Sequence, residues 1–280
     1  MAVRVVTDTT ADLPPAILSE LGITALPMYV RFGDQIYKDG IDITQDEFYA
    51  RLPVDPNHPN TSQPTPQDFI EVYEKLAADG ADGILSVHIS RKMSGAWDSA
   101  MQAKKELEGK IAVEVVDSMS VTMGLGLLTL LGGRMARDGA ALADIKAEVE
   151  KAIPQIHVLL LFDTLKYLAA GGRIGKAKAL VGGMLNVKPV LIVKDGEMHP
   201  AGQVRSRAKG IDRLVEWASS FKDIADMSVG HTTTPEESDR LAELLGDTFP
   251  KDKIIKARLG AVMGTHTGPG TLFVALRTAG

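Results

Sequence analysis

A chain of 280 residues, 45% of them hydrophobic, can bury one large core or two ordinary ones. A net charge of −5 argues against a broad basic surface for nucleic acid, and the absence of cysteine removes disulfides, thiolate nucleophiles and zinc–thiolate sites together. No secretory leader is read at the start, and the longest apolar stretch, residues 121–131, is broken by glycines and threonines and is too short for a bilayer; the expectation is a soluble, cytoplasmic protein.

In chain order, residues 2–6 are a β-branched run that reads as a strand and ends in Thr7-Asp8-Thr9-Thr10. Asp12 is read as the N-cap of a helix with Pro14 and Pro15 in its first turn. Residues 23–32 read as a second strand, with hairpin turns at Gly33-Asp34 and Asp39-Gly40. A short helix over 47–52 is followed by 53–66, which contains five prolines and is read as loop. Residues 67–78 are helical and 83–89 a buried strand; Ser94 is read as capping a helix that runs to about 109. Residues 111–116 are a strand ending in Asp117-Ser118. Strand, polar turn and helix thus recur, which implies a parallel sheet covered by helices. Ligands of such sheets bind beyond the carboxyl ends of the strands, where Thr7-Asp8, Ser94 and Asp117-Ser118 fall. Residues 121–135 read as a helix, apolar on several faces and rich in glycine; a closely packed helix and an acyl-tunnel lining both remain open.

The second half is patterned differently. Residues 157–162 read as a strand, 187–194 and 198–204 as a hairpin across Asp195-Gly196, and 207–221 as a helix. A strand over 227–231, a helix over 236–245 and strands over 253–258 and 271–277 close the chain. Hairpins among helices imply a mixed sheet. The fold class is therefore α/β with two α/β domains: 1–160, a parallel sheet with helices on both faces, and 161–280, a mixed sheet with helices.

Three polar islands remain to be explained: Thr61-Ser62-Gln63-Pro64, Met93-Ser94-Gly95-Ala96 and Thr265-His266-Thr267-Gly268-Pro269-Gly270. Hydroxyls, backbone N–H groups at a helix start and one imidazole make a cradle for a carboxylate and a poor metal site. Each island also has a purely local reading, as turn, helix cap or C-cap. His58, His88, His157, His199 and His231 show no ligand spacing and are taken as structural. No phosphate-binding loop or kinase signature is present.

The ordered set resembles the DegV family, the fatty-acid-binding subunits of bacterial fatty acid kinase. It comprises Thr7-Asp8-Thr9-Thr10-Ala11-Asp12-Leu13-Pro14, Thr61-Ser62-Gln63-Pro64-Thr65-Pro66, Ser94-Gly95, Asp117-Ser118, Gly171-Gly172-Arg173-Ile174, Lys188-Pro189 and His266-Thr267-Gly268-Pro269-Gly270. Departures are Ala96-Trp97, where the family usually has Thr-Tyr, and Ala170, where it often has Lys. The resemblance implies a fatty acid lying between the domains, its carboxylate held by Thr61, Ser62, Ser94, Gly95, His266 and Thr267. It implies no catalysis by this chain and no cofactor of its own. A separate ATP-dependent kinase subunit would phosphorylate the carboxylate, with Gly172, Arg173 and Arg205 facing the phosphoryl transfer or the partner. The acyl phosphate would feed phospholipid synthesis, and the ligand would be collected in transient contact with a membrane surface. Two alternatives stand beside this reading: a hydrolase of a small ester using Ser94 and His266 with Asp8 or Asp117, and a binder of another small organic acid.

Overall fold

The computed structural model describes residues 2–180 and 187–279. The strands begin with β1 (Val3–Asp8), β2 (Thr24–Leu26), β3 (Tyr29–Phe32), β4 (Gln35–Lys38) and β5 (Asn60–Ser62). β6 (Gly83–His88), β7 (Val113–Asp117), β8 (Ile156–Leu161) and β9 (Lys188–Lys194) follow. β10 (Glu197–Val204), β11 (Ile224–His231), β12 (Ile255–Arg258) and β13 (Leu272–Thr278) complete them. Among the helices, α1 (Pro15–Leu21), α2 (Gln45–Arg51), α3 (Pro66–Ala78), α4 (Ala96–Glu106) and α5 (Met123–Arg137) lie in the first half. α6 (Leu142–Ala152), α7 (Lys166–Ala170), α8 (Arg207–Ser219), α9 (Pro235–Leu244) and α10 (Ala261–Thr267) follow.

The first sheet has the order β2-β1-β6-β7 and is parallel throughout. Every residue of β6 is buried, as a strand covered on both faces requires. On one face Phe69 and Tyr73 of α3 and Ala100 and Ala103 of α4 pack on Ile84, Val113 and Val115. On the other, Leu125 and Leu128 of α5 and Ile145 and Val149 of α6 pack on Val5, Leu85 and Val87.

The second sheet runs β10-β9-β8-β13-β11-β12, antiparallel except for the β11–β12 pair, which α9 connects. Leu214 of α8 and Leu241 of α9 cover one face through Leu159, Val229 and Val274. The opposite face offers Leu160, Phe273 and Ala275 to the cluster that holds α5.

α5 is thus a layer shared by both sheets, which is why it is apolar nearly all round. Its glycines are contact points: a Cβ on Gly124 would lie 2.6 Å from Val158, and one on Gly133 2.8 Å from Ile23. Of the two sequence readings for residues 121–135, close packing is the one that the described neighbours support.

Five sequence expectations change. Residues 23–32 are not one strand: β2 ends at Leu26, and β3 starts a separate antiparallel sheet, β4-β3-β5. Residues 53–66 are not all loop, because β5 pairs with β3, setting Thr61 opposite Val30. The His266 island, to which the sequence reading assigned no helix, starts inside one: Thr265, His266 and Thr267 are the last residues of α10. Asp12 is not the N-cap of α1: it closes the 3₁₀ turn Thr9–Ala11 in a left-handed conformation (φ 50°), and Pro14 is the residue that precedes α1. Ser94 is not the N-cap of α4; Gly95 is, and the helix stops at Glu106.

Candidate ligand-binding site

How Thr61 and His266 meet follows from two anchors. β5 is an edge strand held by its register with β3. Gly260 is the N-cap of α10; its N–H donates to Asp12 Oδ1 at 2.8 Å, while Ala261 N–H donates to Asp39 Oδ1 at 2.9 Å. Two buried carboxylates from the first 40 residues therefore satisfy the free N–H groups of a helix some 220–250 positions later. Tyr49 of α2 adds a hydrogen bond from its hydroxyl to Leu259 O at 3.0 Å. At the other end of α10, glycine is obligatory: Gly268 takes a positive φ of 72°, and a Cβ there would lie 2.2 Å from the Tyr167 ring.

So placed, His266 Nε2 stands 2.9 Å from Thr61 Oγ1. Nδ1 is buried without a hydrogen-bond partner among the described residues, and Gly171 packs against it so closely that a Cβ would come within 2.1 Å. Burial foremost, with help from the Arg173 and His58 charges, pushes the imidazole pKa down to about 4, so the ring is neutral at physiological pH. An orphaned acceptor costs less than an orphaned N–H, so we assign the ring proton to Nε2. Nε2–H then donates to Thr61, leaving the Thr61 O–H free to donate into the space beyond.

That space is a pocket whose empty volume, counting the part open to solvent, is about 530 Å³. Its polar lining is Thr10, Thr61, Ser62, Gln63, Ser94, His266 and Thr267; its apolar lining is Met28, Ile89, Met93, Val121, Leu168, Met198, Val262 and Met263. The four methionines make the apolar lining adaptable. Ser94 Oγ accepts from Ala96 N–H at 3.3 Å, which leaves its proton for the pocket. Thr267 differs: its hydroxyl donates to Met263 O at 2.9 Å, so only an acceptor lone pair remains.

Arg173 also lines the pocket, at its rim, exposed. Its Nε donates to Met93 O at 3.2 Å and its Nη1 to Gly171 O at 2.9 Å. Gly172, in a left-handed conformation (φ 68°), ends α7 and turns the chain so that Arg173 reaches the rim. Three expected residues do not line the pocket. Gly172 acts as that turn. Gly95 makes room for Gln63, whose Nε2 would lie 2.9 Å from a Cβ there. Arg205 is exposed at the end of β10, just before the Ser206 cap of α8.

Sequence reading did not select Thr10 or Gln63 as site residues, although both stand in motifs it had singled out. The strand-end rule named Thr7-Asp8; Thr10 lies two residues beyond, after the end of β1. No sequence signal marked the methionines, which are scattered along the chain.

The hydrolase constellation is not assembled. Asp8 Oδ2 pairs with His88 Nδ1 at 2.9 Å, and Asp117 Oδ1 accepts from Met119 N–H at 2.9 Å; neither orients His266. A triad-like chain does exist elsewhere, since His88 Nε2 lies 2.7 Å from Ser86 Oγ. It is sealed, with Ser86, His88 and Asp8 fully buried and Tyr73 O–H donating to the serine at 2.7 Å. Asp8 also accepts from the hydroxyl of Thr10, so this chain holds one pocket residue in place. Among the described residues, no group of three or more His, Asp or Glu is arranged to hold a metal ion. No described helix is long and apolar enough to cross a membrane.

Fold and pocket together define an α/β protein with a pocket lined by hydroxyls, apolar side chains and one exposed arginine. The chain belongs to the DegV family: the family model, described as an uncharacterised protein of the DegV family, matches residues 2–278. A DegV domain-containing protein of Deinococcus radiodurans is 37% identical over 99% of this chain and 98% of its own length. One from Streptomyces coelicolor is 37% identical over 98% of each. Among solved structures, a DegV family protein from Thermus thermophilus described for its fatty acid binding aligns at TM-score 0.91 and 35% identity, over 100% of both chains. DegV of Bacillus subtilis, a fatty acid binding protein, aligns at TM-score 0.89 and 30% identity over 100% of both. A stearic acid-binding protein from Eubacterium ventriosum aligns at TM-score 0.88 and 29% identity over 98% of this chain and 97% of that one.

Proposed function

We propose that this chain binds a long-chain fatty acid in the pocket and presents its carboxylate to a separate ATP-dependent kinase subunit. The observation that carries the reading is the pairing of His266 with Thr61 in a pocket lined both by hydroxyls and by apolar side chains. Thr61 and Ser94 have protons free to donate to a carboxylate, and Ser62 and Gln63 stand beside them. A neutral His266 fixes the direction of the Thr61 hydroxyl without adding a buried charge. Thr267 lines the cradle with its hydroxyl proton already donated to Met263 O, and Gly95 contributes the space it leaves for Gln63.

The tail supplies most of the affinity. Burying about 16 carbons at ~0.8 kcal/mol per CH₂ offers on the order of 10 kcal/mol before ordering costs. The donors set orientation and select the acid. The ligand would lie between the halves carrying the first and second sheets, since lining residues come from both. Arg173, with Arg205 and the Gly172 turn, would meet the incoming phosphoryl group or its protein. The acyl phosphate would pass on to phospholipid synthesis, and the acid would be collected at a membrane surface. On this reading the chain supplies no nucleophile of its own. The hydrolase alternative has no geometric support, because Ser94 has no imidazole partner among the described residues.

The test is mass spectrometry of the organic extract of natively purified protein. We expect one long-chain fatty acid per chain. An extract free of lipid, still free after incubation with a panel of fatty acids, overturns the reading in favour of a small organic acid.

A further inference from the structure

The small sheet β4-β3-β5 has one edge that the rest of the chain leaves open. Phe32 and Gln35 pair across the turn Gly33-Asp34, with Gly33 at a positive φ of 55°. In a two-residue hairpin the closing pair is hydrogen-bonded. The next pair, Arg31 with Ile36, is therefore not, and the N–H and C=O of Ile36 point away from β3. β4 has no neighbouring strand on that side. Two residues on, the outward groups of Lys38 are covered by its own chain: its N–H donates to Asp42 Oδ2 at 2.8 Å, and its C=O accepts from Ile41 N–H at 3.1 Å and Asp42 N–H at 2.9 Å. Ile36 has no such cover among the described residues and is 62% exposed. Other edges are guarded. On β7, Glu114 is gripped by Lys104 at 2.9 Å and Lys146 at 3.5 Å; β10 carries Pro200 and a register shift between Pro200 and Gly202. The inner face of β4 is already fixed, since Arg51 donates to Gln35 Oε1 at 2.9 Å and to the Tyr37 hydroxyl at 3.0 Å. The edge is thus ordered before any partner arrives. Two further exposed apolar side chains, Ile41 and Val54, lie on the segments that follow β4 and α2.

We propose that β4 pairs antiparallel with β4 of a second copy of this chain, about a two-fold axis through Ile36. The inference is independent of the fatty acid reading. Self-complementarity selects this occupant. With Ile36 opposite Ile36, the N–H and C=O of each meet the C=O and N–H of the other. The same register sets Asp34 of each copy opposite Lys38 of the other, making two symmetric ion pairs from side chains that are exposed in the single chain. Asp34 reaches a cation of its own chain, Arg31, only at 3.6 Å and stays fully exposed. Centring the pair on Asp34 or on Lys38 instead would bring like charges together, so charge fixes the register as well as the partner. Pairing would join two three-stranded sheets into one, whose outermost strands are the two copies of β5 that carry Thr61. A contact this small implies a weak, reversible dimer rather than a permanent one.

The test is sedimentation equilibrium of the full chain at low salt, at concentrations up to about 1 mM. We expect a monomer–dimer equilibrium in the wild type. Ile36→Lys sets cation against cation on the axis and should abolish it. Asp34→Lys turns both ion pairs into like-charge contacts and should weaken it about tenfold, whereas Asp34→Lys/Lys38→Asp exchanges the partners and should restore it to within about twofold of wild type. All three positions are exposed, and an unchanged melting temperature shows that each variant is folded. A wild type that stays monomeric throughout overturns the proposal and leaves the edge to a different protein. A dimer that survives Ile36→Lys, or one that the charge exchange does not restore, places the contact elsewhere and overturns it too.

Discussion

His266 shows how far one residue can be read. Its company of threonines and a Gly-Pro-Gly turn marked it as part of a polar site, and its partnership with Thr61 was legible because both islands offered the same kind of donor. The direction of the hydrogen bond was not legible. It depends on Gly171 pressing on Nδ1 and on burial, neither of which any local motif carries. The protonation state has a measurable consequence. Burial holds the folded-state pKa near 4, against an ordinary value of 6.5. As pH falls through about 6.5 the unfolded chain takes up a proton that the folded chain refuses, so this group's contribution is whole above 6.5 and is lost by about pH 4. At ~1.4 kcal/mol per pKa unit the full loss is on the order of 3 kcal/mol. His58, His157 and His231 are lowered too, chiefly by burial, and contribute in the same direction. Urea unfolding of the wild type and of His266→Gln, which keeps a donor toward Thr61, should show a shallower decline for the variant between pH 6.5 and 4. Identical declines would mean that the imidazole is not held neutral by the fold.

Two elements that build the site, β5 and α10, were the least visible in the sequence, for definable reasons. β5 is three residues long inside a proline-rich stretch and is a strand only because β3 pairs with it. α10 contains Gly264 and ends at Gly268, and it has no local cap; its N-terminal N–H groups are satisfied by Asp12 and Asp39 from far upstream. By contrast α3, with its Thr65–Asp68 capping box and leading proline, and the β9–β10 hairpin across Asp195-Gly196 were legible because their signals are local. The remote cap is under electrostatic tension. Burial raises the Asp12 pKa well above its ordinary range, and Asp12 Oδ2 and the neighbouring Thr122 Oγ1 both lack a well-formed hydrogen bond. The folded chain therefore holds a proton on Asp12 that the unfolded chain releases, and stability from this group falls as pH rises above about 3.8. Asp12→Asn keeps an oxygen for Gly260 N–H, puts an amide N–H near Thr122 and tolerates the left-handed backbone. We expect it to raise stability at pH 8 by ~1 kcal/mol and to give no gain at pH 4. A variant weaker than wild type at both pH values would show that Asp12 is needed as a carboxylate.

At the scale of the molecule, α5 decides how the two sheets behave together. A layer buried against both cannot leave one without exposing the other: Leu125 and Leu128 belong to the same cluster as Val5 and Leu85 of the first sheet and Leu160 and Phe273 of the second. Further ties cross near the pocket rim. Ser90 Oγ donates to Gly196 O and Lys92 Nζ to Asp195 O, both at 2.7 Å, so the β9–β10 turn is fastened to the segment that leads to Ser94. Arg134 of α5 and Arg277 of β13 share Asp226 of β11. The sequence indicated two patterns of elements and so two halves; what it did not carry was that one helix would serve as core to both. The chain has two tryptophans, Trp97 on α4 beside the first sheet and Trp217 on α8 beside the second. Trp97→Phe and Trp217→Phe therefore give two chains that each report one half. We expect their fluorescence transitions in urea to coincide in midpoint and slope, because stability is held in common through α5. Saturation with a fatty acid should move both midpoints together, since a ligand bound to residues of both halves stabilises them as one unit. Separate midpoints, or a ligand shift confined to one tryptophan, would mean that the halves unfold independently and that α5 packs firmly on only one sheet.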